Sequence, residues 1–427
     1  MKPFVKLSVV VLCILLVSLA VSIAVFAGSE KEEEEIVLKF WSMQQSDLRV
    51  QDNQNSVIQA FQEMNPNVKV ELEVTPYAGY RDKVLVAAKG GNPPDICVVD
   101  QIWNSEFAAA GLIIPLDDYL KGSPIKADHF FEGAWDSCEW KKQVWGVPMD
   151  VGVWEQLYYN EELFNEAGVS VPETWDDWLS VGRKLTKDTD GDGEVDQWGL
   201  YLLGAKNEVI TVFMNSLIFS NGGQIVSDDG TRGMLDSPEV IEALEFYKAL
   251  MEIAPPGVPN ADQAPSSDYF AREIAAMETI GEWEQETIRN RAPDLNWKIA
   301  VPPVPRRGMT FHGCFGGWSF VIFKESEHQD AAWDFVQFAS SEENNLKMAA
   351  LTPANLEAAD RYLLEFKRQP DIVFETLFNA KPRPISPIYP QVSEIQQDML
   401  HEIFLGKDVA QAARDANDAL NALLAGE

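Results

Sequence analysis

The side chains best suited to holding a ligand are the aromatics and the carboxylates. The sequence contains 13 tryptophans, several of them at strand ends or in loops rather than in helical stripes. Trp41, Trp103, Trp283 and Trp318 are candidate platforms on which an apolar ring face could stack. Gln44, Asp100, Asp150 and Glu282 are candidate hydrogen-bonding partners for hydroxyl groups. A polyhydroxylated ring needs both kinds of contact, because its C–H faces are apolar and its edge is polar. It also needs a cleft that excludes water. Trp175, Trp178 and Trp333 lie at helix starts or on helical faces and are read as packing residues.

A second cluster of oxygen ligands runs from Asp188 to Asp196. Asp188, Asp190, Asp192, Glu194 and Asp196 offer oxygens at alternating positions, with Gly193 at the turn, as in the opening of a calcium loop. The bidentate Glu expected at the loop's end is replaced by Gly199. The expected role is a structural Ca²⁺; the bland alternative is a solvated acidic turn.

Chemistry beyond binding has little support. The chain has no HExxH, GxSxG or phosphate-loop pattern, and its histidines, His129, His312, His328 and His401, lack metal-ligand spacing. No catalytic cofactor is expected. A secreted glycosidase is the rival reading, since paired carboxylates beside aromatics also build such sites. A ligand-sensing partner of a membrane receptor is another.

Acidic residues outnumber basic ones by 67 to 34, a balance that repels nucleic-acid phosphates and anionic lipid headgroups. Lys2 and Lys6 precede an apolar run from Leu7 to Phe26, and Val25-Phe26-Ala27 has small residues where a signal peptidase reads. The expectation is a signal peptide over 1–27, and so a periplasmic or extracellular location. An uncleaved membrane anchor competes with it. Cys97, Cys138 and Cys314 would remain, enough for one disulfide with one free thiol, or for three free thiols.

Placing these groups requires a scaffold. After an acidic tether over 28–35, short apolar strands at 36–41, 68–74 and 95–99 alternate with helical patterns at 56–65 and 80–88. That alternation predicts an α/β fold with a parallel sheet, whose ligands sit beyond the carboxyl ends of the strands, where Trp41 and Asp100 fall. A further strand is expected over 199–203 and a helix over 238–251. Proline-rich 381–390 reads as an ordered loop, and 392–424 reads as helical. The length, 427 residues, favours two lobes.

Several segments carry a specific resemblance. Gly90-Gly91-Asn92-Pro93-Pro94-Asp95 is followed by Val98-Val99-Asp100 and by 111–119 (GLIIPLDDY). Trp145-Gly146-Val147-Pro148 precedes Leu157-Tyr158-Tyr159-Asn160; then come 172–178 (PETWDDW), 184–188 (KLTKD) and 236–240 (DSPEV). Ala275-Ala276-Met277 with Gly281 and Trp283, and 331–335 (AAWDF), complete the series. In this order and spacing the chain resembles the family 1 extracellular solute-binding proteins, the group around maltose-binding protein. The resemblance implies a two-lobed periplasmic-binding-protein fold of type II, with three hinge crossings near Pro148, Gly316-Gly317 and residues 360–371. It implies an N-lobe of 36–148 plus 319–365 and a C-lobe of 149–318 plus 366–427. Trp41, Asp100, Trp283 and Trp318 lie where similar proteins contact ligand, Gly317 lies at a crossing, and Tyr389 stands near the place of a stacking aromatic. The implied function is capture of a sugar or short oligosaccharide by hinge closure, as a monomer, with delivery to the permease subunits of an ABC importer.

Overall fold

A computed structural model of the chain describes residues 35–43, 48–76 and 79–426. Gln44 and the expected signal peptide lie outside the described residues. No helix among the described residues is long and apolar enough to cross a membrane.

The first strands form as their patterns dictate. Strand β1 (Ile36–Met43) and β2 (Val68–Thr75) are joined through the helix Leu48–Met64, and β3 (Ile96–Asp100) follows the helix Tyr80–Lys89. β1 pairs in parallel with both β2 and β3. All five residues of β3 are buried, as suits an inner strand covered on both faces.

The rest of this sheet comes from distant parts of the chain. Strand β4 (Val147–Val153) runs on into β5 (Gln156–Asn160), which lies in a separate three-stranded antiparallel sheet between β6 (Met277–Ile280) and β7 (Trp297–Ala300). Strand β8 (Cys314–Ile322) then returns and inserts between β3 and β4, antiparallel to both. Short β9 (Thr352–Pro353) pairs with β4, and β10 (Lys381–Pro382) pairs with Cys314 and Phe315 of β8. The result is a seven-stranded mixed sheet and a small second sheet, linked by β4–β5 and β7–β8.

Two hydrophobic cores follow from this path. Leu38, Phe40, Val98, Phe320, Phe335 and their neighbours fill one; Trp178, Ile218, Leu244, Leu400 and Leu420 help fill the other. Val153 packs in the first and Leu157 in the second, while Cys314 packs in the second and Phe315 in the first. Core membership changes over 153–157 and at 314–315, while Tyr158, Ile280, Trp297 and Ile299 of the small sheet also pack against the first core. At the crossing expected over 360–371 the chain meets the second sheet. There Arg368 and Gln369 grip β7, through bonds to Trp297 O at 2.7 Å and to Ile299 at 2.8 and 2.9 Å. Val373 and Leu377 beyond them pack in the first core, as do Trp297 and Ile299 of β7. The chain reaches the second core only after β10, with the helix Tyr389–Phe404.

Two local expectations change, and one open alternative is resolved. Residues 199–203 make isolated bridges beside β6 rather than a strand, with Gly199 pressed so close to Gly182 that an added Cβ would lie 2.4 Å from its carbonyl oxygen. The proline-rich stretch contributes a strand at Lys381–Pro382 and a helix starting at Tyr389, with proline in the first turn where its missing N–H costs nothing. Among the described residues Cys97, Cys138 and Cys314 are all buried and free, which is the three-free-thiol alternative.

Candidate ligand-binding site

The sequence-selected residues converge where the two cores meet, but they do different jobs there. Asp100 ends β3 and caps the following turn, accepting from Ile102 N at 3.2 Å. Its carboxylate also takes a bond from Arg383 Nη2 at 3.0 Å. Burial holds the Asp100 carboxyl above its usual range, against the pull of Arg383. Arg383 Nη1 reaches Glu208 Oε1 at 3.0 Å. Glu208 opens the helix Glu208–Ser220, which Asn207 caps by accepting from Val209 N at 2.9 Å. Tyr389 is fully buried and its hydroxyl bonds Glu208, as does Ser393 Oγ at 2.5 Å. Tyr389 therefore orders the acid rather than offering an open face.

Asp150 is a structural clasp. It is fully buried in β4 and accepts backbone N–H groups from Trp318 at 3.1 Å, Ala350 at 2.9 Å and Leu351 at 3.2 Å. Burial nonetheless pushes its carboxyl up to about 7. Glu282, also fully buried, accepts from Thr352 N and Oγ1 at 2.8 Å and lies 4.0 Å from Lys367 Nζ, which ties the end of β6 to β9.

The aromatics divide in the same way. Trp103 is only 5% exposed, and its ring is enclosed by Tyr80, Phe107 and Trp318. Trp318, 8% exposed, meets Trp103 edge-on at 6.1 Å. Trp41 is half-buried under Lys83, whose Nζ lies 4.4 Å above the ring. Trp283 is half-buried and meets Trp154 edge-on at 4.9 Å. Gly281 lets the Trp283 ring fold back over the backbone, since a Cβ there would fall 2.0 Å from it.

Two adjacent glycines give these groups room. A Cβ on Gly316 would stand 2.6 Å from Trp154 Nε1 and 3.5 Å from Arg383 Nη2, so the indole and the guanidinium meet above that residue. Gly317 has φ +146° and passes so close to β4 that a Cβ would lie 2.1 Å from the Asp150 carbonyl oxygen. Trp154, Arg383 and Glu208 escaped the sequence reading. None of the three was singled out from the sequence, because their contacts join segments far apart in the chain. The place of Arg383 between Pro382 and Pro384, inside the proline-rich stretch, was the one available signal.

Away from this floor, oxygens of Asp188, Asp190 and Asp196 lie within 4.8 Å of one another. Asp188 accepts from Gly191 N at 2.6 Å and Gly193 N at 2.8 Å, and these bonds hold its carboxyl below the usual range. Asp192 accepts from Glu194 N at 2.8 Å. The turn thus shapes itself through its own amides.

Two lobes around a floor of aromatic, carboxylate and guanidinium groups, crossed by several strands of one chain, define a hinged ligand-binding protein of the type II periplasmic class. The family described as "Bacterial extracellular solute-binding protein" matches residues 52–346, and the chain belongs to it. A binding protein of Brucella abortus (strain 2308) is 26% identical over 380 residues, covering 86% of this chain and 89% of that one. The diacetylchitobiose binding protein of Streptomyces coelicolor is 24% identical and covers 85% of this chain and 84% of its own length. Among solved structures, an ABC transporter solute binding protein of Thermotoga lettingae TMO, bound with α-D-tagatose, superposes with TM-score 0.77 at 26% identity. That match covers 91% of this chain and all of the other. The family consists of binding proteins rather than enzymes, and it is extracellular.

Proposed function

We propose that this chain captures a sugar or short oligosaccharide between its lobes and hands it to the permease subunits of an ABC importer, with no chemical step of its own. The observation that carries this reading is the meeting, above Gly316, of the Trp154–Trp283 pair with the Asp100–Arg383–Glu208 cluster. An apolar ring face and a row of charged hydrogen-bonding groups are what a carbohydrate ring and its hydroxyls require. The groups come from both cores, so a ligand touching all of them favours the arrangement that brings the lobes together. Relatives and neighbours with carbohydrate ligands in their names support the ligand class. Export by the 1–27 signal, a monomeric state and a structural calcium at Asp188, Asp190 and Asp196 belong to the same proposal; Asp192 and Glu194 would shape the loop.

The test is a thermal-shift screen of residues 28–427 against neutral and acidic sugars, polyols and sugar phosphates, with product analysis of every hit. Ligand at a hundredfold excess over Kd adds about 2.7 kcal/mol. A large shift with unaltered sugar supports capture; turnover of the hit overturns it in favour of a hydrolase. A chelator that lowers the melting temperature, with recovery on adding Ca²⁺, supports the calcium; an unchanged melting curve refutes it.

A further inference from the structure

One cation lies buried at the floor of the cleft, and both ends of its fork are already taken. Arg383 is 4% exposed. Its terminal nitrogens bond Asp100 and Glu208, each at 3.0 Å, and these acids come from the end of β3 and from the start of the helix Glu208–Ser220. The Tyr389 ring centre lies 5.7 Å from the guanidinium carbon. Nε is buried and has no hydrogen-bond partner. The cluster therefore sets one positive charge against two negative ones and leaves Nε as the guanidinium nitrogen without a partner.

We propose that Arg383 is the specificity-determining residue of this cleft, and that its pairing with Asp100 and Glu208 makes the site accept uncharged sugars and reject sugar acids. This rests on the reading that the cleft captures carbohydrate. A free guanidinium takes a carboxylate by two parallel bonds, which demands two adjacent N–H groups facing the same way. Here both terminal nitrogens already bond carboxylates, and the nitrogen without a partner, Nε, has a single N–H to give, which suits a hydroxyl or ring oxygen. A ligand carboxylate would have to displace Asp100 or Glu208, crowding unpaired negative charge in a site closed to water, at a high desolvation cost. Both acids are held in place independently of Arg383: Asp100 by its turn, Glu208 by Tyr389 and Ser393. They cannot swing aside freely.

The prediction is a change of selectivity when either acid is neutralised. Asp100→Asn and Glu208→Gln each release one side of the guanidinium. Calorimetric titrations would compare glucose with glucuronate, galactose with galacturonate, and a neutral disaccharide with its uronic counterpart. Circular dichroism would check the fold. The wild type should prefer the neutral member of a pair, and in each variant the acid-to-neutral affinity ratio should rise about tenfold or more. Damage to packing alone would weaken both members together and leave the ratio unmoved. An unchanged ratio in folded variants that still bind the neutral sugar overturns the inference and spares the capture reading. So does a wild type that binds the acid as tightly as the neutral sugar. Failure of all three proteins to bind any carbohydrate refutes the capture reading, and the inference with it.

Discussion

Adding one methyl group to either of two neighbouring glycines should separate what holds the hinge together from what holds the ligand. Gly317→Ala places a Cβ 2.1 Å from the Asp150 carbonyl oxygen and 2.9 Å from Gln101 Nε2. Neither can retreat cheaply, because Gln101 Nε2 donates to that same oxygen at 3.2 Å and β4 is paired on both sides. The φ of +146° adds backbone strain of about 1–3 kcal/mol for any residue with a side chain. Overpacking against the backbone adds about 1–3 kcal/mol more. The expected loss is thus about 2–6 kcal/mol in urea unfolding. Gly316→Ala meets the Trp154 indole at 2.6 Å instead, a side chain rather than a paired backbone, and no positive φ constrains the residue. It should cost less stability, yet move a ligand-facing ring and weaken binding. Urea midpoints and ligand titrations on both variants give the comparison. If Gly317→Ala matched the wild type in stability, or Gly316→Ala proved the more damaging, the tight crossing inferred at β4–β8 would be wrong.

Further expectations follow from the same geometry. Asp150→Ala strips the acceptor from three buried backbone N–H groups and should cost roughly 3 kcal/mol or more, read as a lower urea midpoint. Burial raises the Asp150 and Glu284 carboxyls to about 7 from ordinary values of 3.8 and 4.5. The folded form therefore holds more protons than the unfolded chain between those limits, and stability is lost as pH rises through about 7. The melting temperature should be higher at pH 5.5 than at pH 8, and Asp150→Asn should flatten part of that slope; a wild type more stable at pH 8 would refute the sign. Trp283→Ala should weaken binding of a sugar found by the screen about tenfold while leaving the fold intact. Trp178→Ala, a fully buried ring of the second core, should instead destabilise by about 3–5 kcal/mol. Equal effects of the two on stability would remove the distinction drawn between floor and core tryptophans.

How much of this was legible depends on the range of the interaction. The strands at 36, 68 and 96 and the helix at 80 are local patterns that form within two residues of their expected bounds, whereas the helix expected from 56 already begins at Leu48. Asp100 could be placed because the end of a parallel strand is a fixed point in such folds. Roles were harder to read than places. Asp150 became a clasp because Ala350 and Leu351, two hundred residues away, present their amides to it. Trp103 became core because Trp318 crosses its face through the insertion of β8. Arg383 stayed hidden because its partners, Asp100 and Glu208, lie 283 and 175 residues distant in sequence. No periodicity reports a contact of that span. The acidic turn at 188–196 lies at the opposite extreme: its spacing was plain, and its own amides set its shape.

The central claim, capture by closure of two lobes, is tested most directly by small-angle X-ray scattering on residues 28–427 with and without a saturating sugar from the thermal-shift screen. The account predicts a smaller radius of gyration with the sugar, and the same contraction in Trp283→Ala only at about tenfold higher concentration of that sugar. A sugar that binds tightly by calorimetry yet leaves the wild-type scattering curve unchanged would contradict it.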